Sequence, residues 1–271
     1  MIKVGDKVLY RSNTDMTHVA IGRVVTRVFT AGGNKKPYGI RLNNNKEIDA
    51  FESELQPTNK TFAKCLIIGD HSVPYFRLAR DFCEVALENQ PKSLDRHVDL
   101  VMFTGGEDVT PAYYGEERHA KTFHTNPERD HIEALIWKQA KRLGIPCVGI
   151  CRGAQFLNVM NGGKLIQHVT NHTSNHDIKT TCGHTIQVSS THHQMMDPTP
   201  EAEIIAWAES LSTEYLGIKD FRPCTDENGV VQEPEVVMYH DNMDLCVQFH
   251  PEMMAPESQG RKYFYELMKD L

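Results

Sequence analysis

The sequence predicts an α/β protein, a mostly parallel sheet flanked by helices over residues 62–271, preceded by a small β-barrel over residues 1–58. Three observations lead there. Beyond residue 62, short apolar runs alternate with stretches of helical periodicity, the pattern of a parallel sheet covered on both faces. Before it, only short β-rich runs occur, separated by turn chemistry. Between the two, the charge balance changes sign: residues 1–60 hold 10 basic and 6 acidic residues, and the remainder holds 19 basic and 30 acidic. That shift falls beside Gln56-Pro57-Thr58-Asn59-Lys60, a segment with the composition of a linker. A chain of 271 residues with 40% hydrophobic and 24% charged residues suits one large domain, or a medium one with an appendage. It is too apolar for disorder.

The first unit reads as strands at Lys7–Tyr10, Val19–Val25, Tyr38–Leu42 and Glu47–Phe51, with turns at Ala31–Asn34 and Asn43–Asn45. Its opening Val4-Gly5-Asp6-Lys7-Val8 and closing Glu52-Ser53-Glu54-Leu55-Gln56-Pro57 resemble SH3-like or Tudor-like barrels. Such barrels bind peptides or nucleic acids in many proteins, and packing or dimerisation appendages have the same pattern. A local balance of +4 is too small to argue for nucleic acid. No apolar run approaches the roughly 20 residues of a membrane span. Met1–Lys7 has no apolar leader core, and the seven cysteines are scattered without paired spacings. A cytoplasmic protein with reduced thiols is expected, without a membrane partner.

In the second unit, Ala63–Gly69, Val98–Phe103 and Cys147–Ile150 read as buried parallel strands. Helices are expected from Tyr75 to Asn89 and from Glu128 to Leu143, the latter with Ile132, Leu135, Ile136 and Ala140 on one face, ended by Gly144-Ile145-Pro146. Sites in such sheets lie at the carboxyl ends of the strands. There, Gly149-Ile150-Cys151-Arg152-Gly153 has the G-x-C-x-G spacing of a nucleophile elbow. Cys151 would sit at a helix N-terminus, which favours its thiolate, with the Arg152 N–H aimed at the oxygen of a bound acyl group. A lone cysteine on a strand is by default a buried structural group, the reading that suits Cys65, Cys147 and Cys246. Leu245–Phe249 runs into His250-Pro251-Glu252, and in an extended backbone residues two apart share a face, so Glu252 can hold the His250 ring while it takes the thiol proton. The Gly105-Gly106 turn, at the end of another strand, offers further N–H groups for an oxyanion.

Residues from about 64 to 271 resemble the class I glutamine amidotransferase domain, in its γ-glutamyl hydrolase (peptidase C26) branch. The matching segments are Gly105–Pro111 with Tyr114-Gly115-Glu116, Arg129-Asp130 with Glu133, Pro146–Gly153, Gln155, Leu157-Asn158-Val159, Gly162–Gln167, His192-His193-Gln194 and Val247–Glu252. By motif the relatives look like γ-glutamyl-γ-aminobutyrate hydrolases. The resemblance implies a flavodoxin-like fold, a Cys151–His250–Glu252 triad, and an oxyanion hole of the Gly106 and Arg152 N–H groups. It also implies glutamyl recognition by Gln155, Ser190, Thr191 and His192. The stretch from His184 to His192 is short, and Ser189 stands where relatives usually have Asn. The implied chemistry is hydrolysis of a γ-glutamyl amide or of glutamine through a thioester, with no cofactor. The alternative it leaves is a glutaminase subunit that delivers ammonia to a separate synthetase docked by residues 1–58. A non-catalytic binding protein is the third reading, and the intact triad residues argue against it. No G-x-x-x-x-G-K-[ST] loop marks an ATP-driven half in this chain.

His168, His172 and His176 recur at intervals of four, which on a helix would put them on one face for zinc. Thr170, Asn171, Thr173, Ser174 and Asn175 are poor helix formers, however. The segment, with Cys182 and His184, is therefore expected to be a surface loop without a metal.

Overall fold

A computed structural model describes residues 2–12, 19–27, 38–43, 45–69, 73–88, 94 and 98–271. The expected Ala31–Asn34 turn lies outside them, as do Asn44 and Asn89. Strands β1 (Lys7–Arg11), β2 (Val19–Arg27), β3 (Tyr38–Leu42), β4 (Glu47–Ala50) and β5 (Leu55–Pro57) form an antiparallel sheet in the order β4-β3-β2-β1-β5. Both faces are covered. Val8, Tyr10, Val24, Tyr38 and Ile40 share one cluster, and Leu9, Val19 and Ile21 pack on the other side against Ala63. That double burial explains why Val8-Leu9-Tyr10 does not alternate cleanly.

The chain continues through β6 (Phe62–Ile68), α1 (Val73–Phe82), β7 (Cys83–Glu88), β8 (Leu100–Phe103), α2 (Pro127–Leu143), β9 (Cys147–Ile150) and α3 (Arg152–Met160). Two short pairs follow: β10 (Lys164–Ile166) and β11 (His168–Val169) meet strands further along the chain. Then come β12 (His176–Thr180), β13 (Thr185–Val188), β14 (Met195–Asp197), β15 (Glu203–Glu209), β16 (Tyr215–Leu216), β17 (Cys224–Thr225), β18 (Val231–Tyr239), β19 (Asp244–Val247) and α4 (Gln259–Asp270). The large sheet has the order β13-β12-β15-β18-β19-β9-β8-β6-β7, with β17 beside β18. Strands β7, β6, β8, β9 and β19 run parallel, while β18, β15, β12 and β13 extend the sheet antiparallel. The sheet is thus mixed, and the expectation of a mostly parallel one holds only for the half with the elbow. Helices α1 and α4 bury Tyr75, Leu78, Phe82, Phe264 and Met268 on one face of it. Helices α2 and α3 bury Ile136, Ala140, Phe156 and Leu157 on the other.

Two local expectations are corrected. The expected helix to Asn89 stops at Phe82, and Cys83–Glu88 is a strand paired in parallel with β6 from Phe62↔Cys83 to Ile67↔Glu88. The Glu-Val-Ala-Leu-Glu stretch suits a helix locally, but pairing with an already formed strand overrides that weak preference. In α2, Leu135 is 48% exposed, and the helix turns Asp130 and Glu133 inward instead. Both carboxylates meet the buried Arg152 guanidinium, beside Ile136 and Ala140, which are buried as expected; of the expected apolar face only Leu135 turns outward. The ends of α2 follow local rules: Asn126 Oδ1 accepts from Arg129 N, Pro127 opens the helix, and Gly144 closes it at φ 66°. Among the described residues, no helix is long and apolar enough to cross a membrane.

Candidate active site

Strand β9 ends at Ile150, and Cys151 turns the chain into α3 with φ 52° and ψ −110°. A left-handed φ is costly for a side chain with a Cβ, and strain of this kind concentrates at functional sites. The flanking glycines are fixed by contact. A Cβ on Gly149 would lie 2.3 Å from the backbone of Gly153, and one on Gly153 would lie 2.2 Å from the Phe103 carbonyl oxygen. The turn is pinned further by Cys151 N donating to Val247 O at 2.8 Å. This bond ties the elbow to β19, whose Val247 pairs with Ile150. The two strands therefore deliver Cys151 and His250 to the same end of the sheet.

His250 is nearly buried and held on three sides. Its Nδ1 lies 2.7 Å from Glu252 Oε1, its Nε2 lies 2.8 Å from Thr191 Oγ1, and its backbone N donates to Ser189 O at 2.9 Å. Burial lowers the affinity of this ring for a proton. The hydrogen bonds with Cys151 and Glu252 outweigh that and push the His250 pKa up to about 10. His250 and Glu252 do meet, but not across an extended backbone: Pro251–Met253 is a 3₁₀ turn that begins at His250.

Strand β8 brings the Gly105-Gly106 turn to the same place. A Cβ on Gly105 would sit 2.8 Å from Tyr75 Oη, 3.5 Å from His250 Cε1 and 3.7 Å from Cys151 Cβ. Gly105 N donates to Tyr75 Oη at 3.0 Å. The Tyr75 hydroxyl is pushed upward in pKa by burial and by the neighbouring Glu252 charge. Gly106, at φ 146°, leaves no room for a Cβ because Arg129 Nη1 would be 2.2 Å away. Arg129 Nη2 donates to Thr104 O and Gly105 O at 3.1 and 3.0 Å, and the same guanidinium pairs with Glu107 and Glu133 at 2.8 Å. The Arg152 side chain is buried between Asp130 and Glu133. Both segments expected to supply oxyanion N–H groups are thus braced by the charge network on α2. Tyr75 was missed in the sequence, because nothing near it marks a tyrosine on α1 as a neighbour of Gly105.

Residues 84–252 match the family model described as Peptidase C26. The chain belongs to the peptidase C26 family. Among curated proteins it is 32% identical over 176 residues to "Putative glutamine amidotransferase-like protein YvdE" of Lactococcus lactis, covering 63% of this chain and 72% of that one. It is 31% identical over 172 residues to a "Putative glutamine amidotransferase" of Mycobacterium tuberculosis, covering 56% of this chain and 50% of that one. This chain therefore spans half the length of the mycobacterial relative. Among solved structures, PurLQS of Thermotoga maritima superposes with a TM-score of 0.52 at 13% identity, over 77% of this chain and 97% of that one. That likeness concerns the fold, the flavodoxin-like α/β arrangement of class I glutamine amidotransferases.

The glutamyl-binding positions implied for this peptidase C26 chain divide in the structure. Thr191 faces His250. Gln155, in the first turn of α3, is buried, and its Nε2 donates to Gln194 O at 3.1 Å and Gln248 Oε1 at 3.3 Å. Ser190 Oγ donates to His172 O at 2.5 Å, and His192 Nε2 stands 3.1 Å from Glu235 Oε1. The last two side chains therefore point into the protein behind the histidine loop rather than toward Cys151. They join His172 and His176, which are buried, with His176 opening β12. The expected surface loop is corrected there: Glu233 and Glu235 on β18, two apart on one face, draw the imidazoles inside. Among the described residues, His172, His176, His192 and Glu235 form the group of side chains with the spacing to hold a metal ion. His168 lies apart from it, 3.4 Å from His193.

Proposed function

We propose that this chain hydrolyses the amide bond of a γ-glutamyl compound, with Cys151 as nucleophile, His250 as acid and base, and Glu252 orienting the ring. The observation that carries the reading is the left-handed Cys151 at a strand-to-helix turn, tied to the strand that ends in a His250–Glu252 pair 2.7 Å apart. The Cys151 thiolate attacks the γ-carbonyl carbon, and the carbonyl π electrons move to oxygen beside the Gly106 and Arg152 N–H groups. Collapse of that intermediate breaks the C–N bond, and His250 gives its proton to the departing amine or ammonia. The glutamyl thioester then accepts water, whose proton goes to His250. Expulsion of the Cys151 thiolate releases glutamate.

Residues 75–252 supply every group in this scheme, within a catalytic unit assigned to residues 62–271. Residues 1–58 form a separate SH3-like barrel in this reading. A second possibility is a glutaminase subunit that delivers ammonia to a separate synthetase docked by residues 1–58, whose five strands form a sheet of their own. Glutamate release from γ-glutamyl-aminobutyrate and from glutamine, offered in parallel, separates the two. Brisk Cys151-dependent cleavage of the former by the isolated chain supports the hydrolase. Near silence on both, with a ligase co-purifying only when residues 1–58 are present, supports the subunit.

A further inference from the structure

We infer that His172, His176, His192 and Glu235 form a structural site for a divalent transition-metal ion, zinc by the character of its ligands. His172 Nδ1, His176 Nε2 and His192 Nε2 all converge on Glu235 Oε1, at 3.1, 3.0 and 3.1 Å. The four ligand atoms lie within 4.8 Å of one another. Tetrahedral zinc with bonds of about 2.0–2.1 Å holds its ligand atoms about 3.3 Å apart, so the three nitrogen–oxygen separations open slightly and the widest of the others closes to admit the ion.

The outer ring nitrogens decide how the inner ones face. His172 Nε2 lies 3.0 Å from Glu233 Oε2, His176 Nδ1 lies 3.1 Å from Ser174 O, and His192 Nδ1 lies 2.9 Å from Gln194 O. Each of these partners is an acceptor, so each outer nitrogen carries the N–H. Metal-binding histidines are oriented by such carboxylate and carbonyl acceptors. The three inner nitrogens then present lone pairs to one carboxylate oxygen. Hydrogen bonding to Glu235 by all three rings would place three protons on that oxygen, which offers about two lone-pair positions, and would crowd three imidazolium charges together. Meanwhile Glu235 Oε2, equally buried, has no hydrogen-bond partner. A single dication between the rings relieves that crowding and balances the charges of Glu233 and Glu235. Among the described residues, the ion pairs of both carboxylates are with these imidazoles alone. All four ligands belong to the protein and are buried, the closed form of a structural rather than catalytic site.

The ion would join β12, β18 and two loops, one of which carries Ser189 O and Thr191 Oγ1 to His250. The ligands come from separate stretches of the chain, His172 and His176 near β12, His192 in the loop after β13 and Glu235 on β18, so no local spacing in the sequence marks them.

The test uses the tag-free full-length chain, expressed with added zinc and then freed of loose metal by gel filtration. Elemental analysis should find about one equivalent of zinc per chain, as for a structural site. After chelation, cobalt should bind with the strong visible absorption of tetrahedral nitrogen and oxygen coordination. His176→Ala should weaken cobalt binding by at least about 10–100-fold, the loss seen even for outer-shell partners. Cys182→Ser, which removes an exposed thiol, should leave it unchanged. Wild-type protein without zinc and without a cobalt spectrum, weak octahedral cobalt absorption, or equal cobalt affinity in folded His176→Ala would each overturn the site. Should His176→Ala fail to fold, the wild-type zinc content and cobalt spectrum decide alone. None of these readouts uses a substrate, so the result is independent of the proposed hydrolysis.

Discussion

Cys151 and Glu252 both raise the proton affinity of His250, and that coupling has a sign. The folded His250 pKa of about 10 lies above the ordinary value of 6.5, so His250 contributes stability fully below about pH 6.5 and loses it as the pH rises toward 10. An NMR titration of His250 should therefore place its midpoint near 10 in the wild type. In Cys151→Ala the midpoint should fall toward 6.5, because the largest of the raising hydrogen bonds is gone. An unchanged midpoint would mean the thiol does not reach the ring. Glu252→Gln should lower turnover less than His250→Ala, since the amide can still accept from Nδ1 while losing the carboxylate charge. These residues were legible because their signals are local: a G-x-C-x-G turn and a His-Pro-Glu run can each be read in a handful of letters. Ser190 and His192 flank Thr191 in the sequence, yet their side chains turn inward while Thr191 faces His250, since neighbours in a loop need not share a direction.

The elements add constraints that single residues do not reveal. Helix α3 can follow β9 closely only because Gly153 lets it rest on the Phe103 carbonyl of β8. Gly153→Ala should lower stability by about 1–3 kcal/mol, the usual cost of overpacking, or prevent folding, as measured by urea unfolding. A neutral effect would contradict the contact. Tyr75→Phe removes the acceptor for the buried Gly105 N–H, at a cost of roughly 1–3 kcal/mol by the same measurement. It should also slow turnover, because the Gly-Gly turn loses its support. Neither Tyr75 nor β7 could be read from the sequence, for related reasons. The position of Tyr75 depends on α1 packing over the end of β8, and β7 depends on a partner strand overriding local helix preference. The buried Asp130 and Glu133 belong with them: a carboxylate on the inner face of α2 makes sense only once Arg152 has been placed against it.

At the scale of the whole chain, the site assembles from three parallel strand ends, β8, β9 and β19, while the antiparallel half of the sheet supplies the loop that holds His250. The parallel half, β7 apart, could be read from its uniform apolar runs. The antiparallel half could not, because its histidines come together only through pairing of β12, β15 and β18. Deleting residues 1–58 should leave Cys151-dependent turnover in place, since that segment supplies none of the proposed catalytic groups. It should lower the melting temperature by at least about 2–4 °C, equivalent to about 1 kcal/mol at this size, because Leu9, Val19 and Ile21 no longer cover Ala63. Loss of turnover in a folded truncated chain would place part of the site in the N-terminal sheet. The most direct test of the central claim is glutamate release from γ-glutamyl-aminobutyrate and glutamine by the purified full-length chain and its Cys151→Ala variant. Release by the wild type and none by the folded variant is the predicted result; equal release by both would contradict a cysteine nucleophile at the elbow.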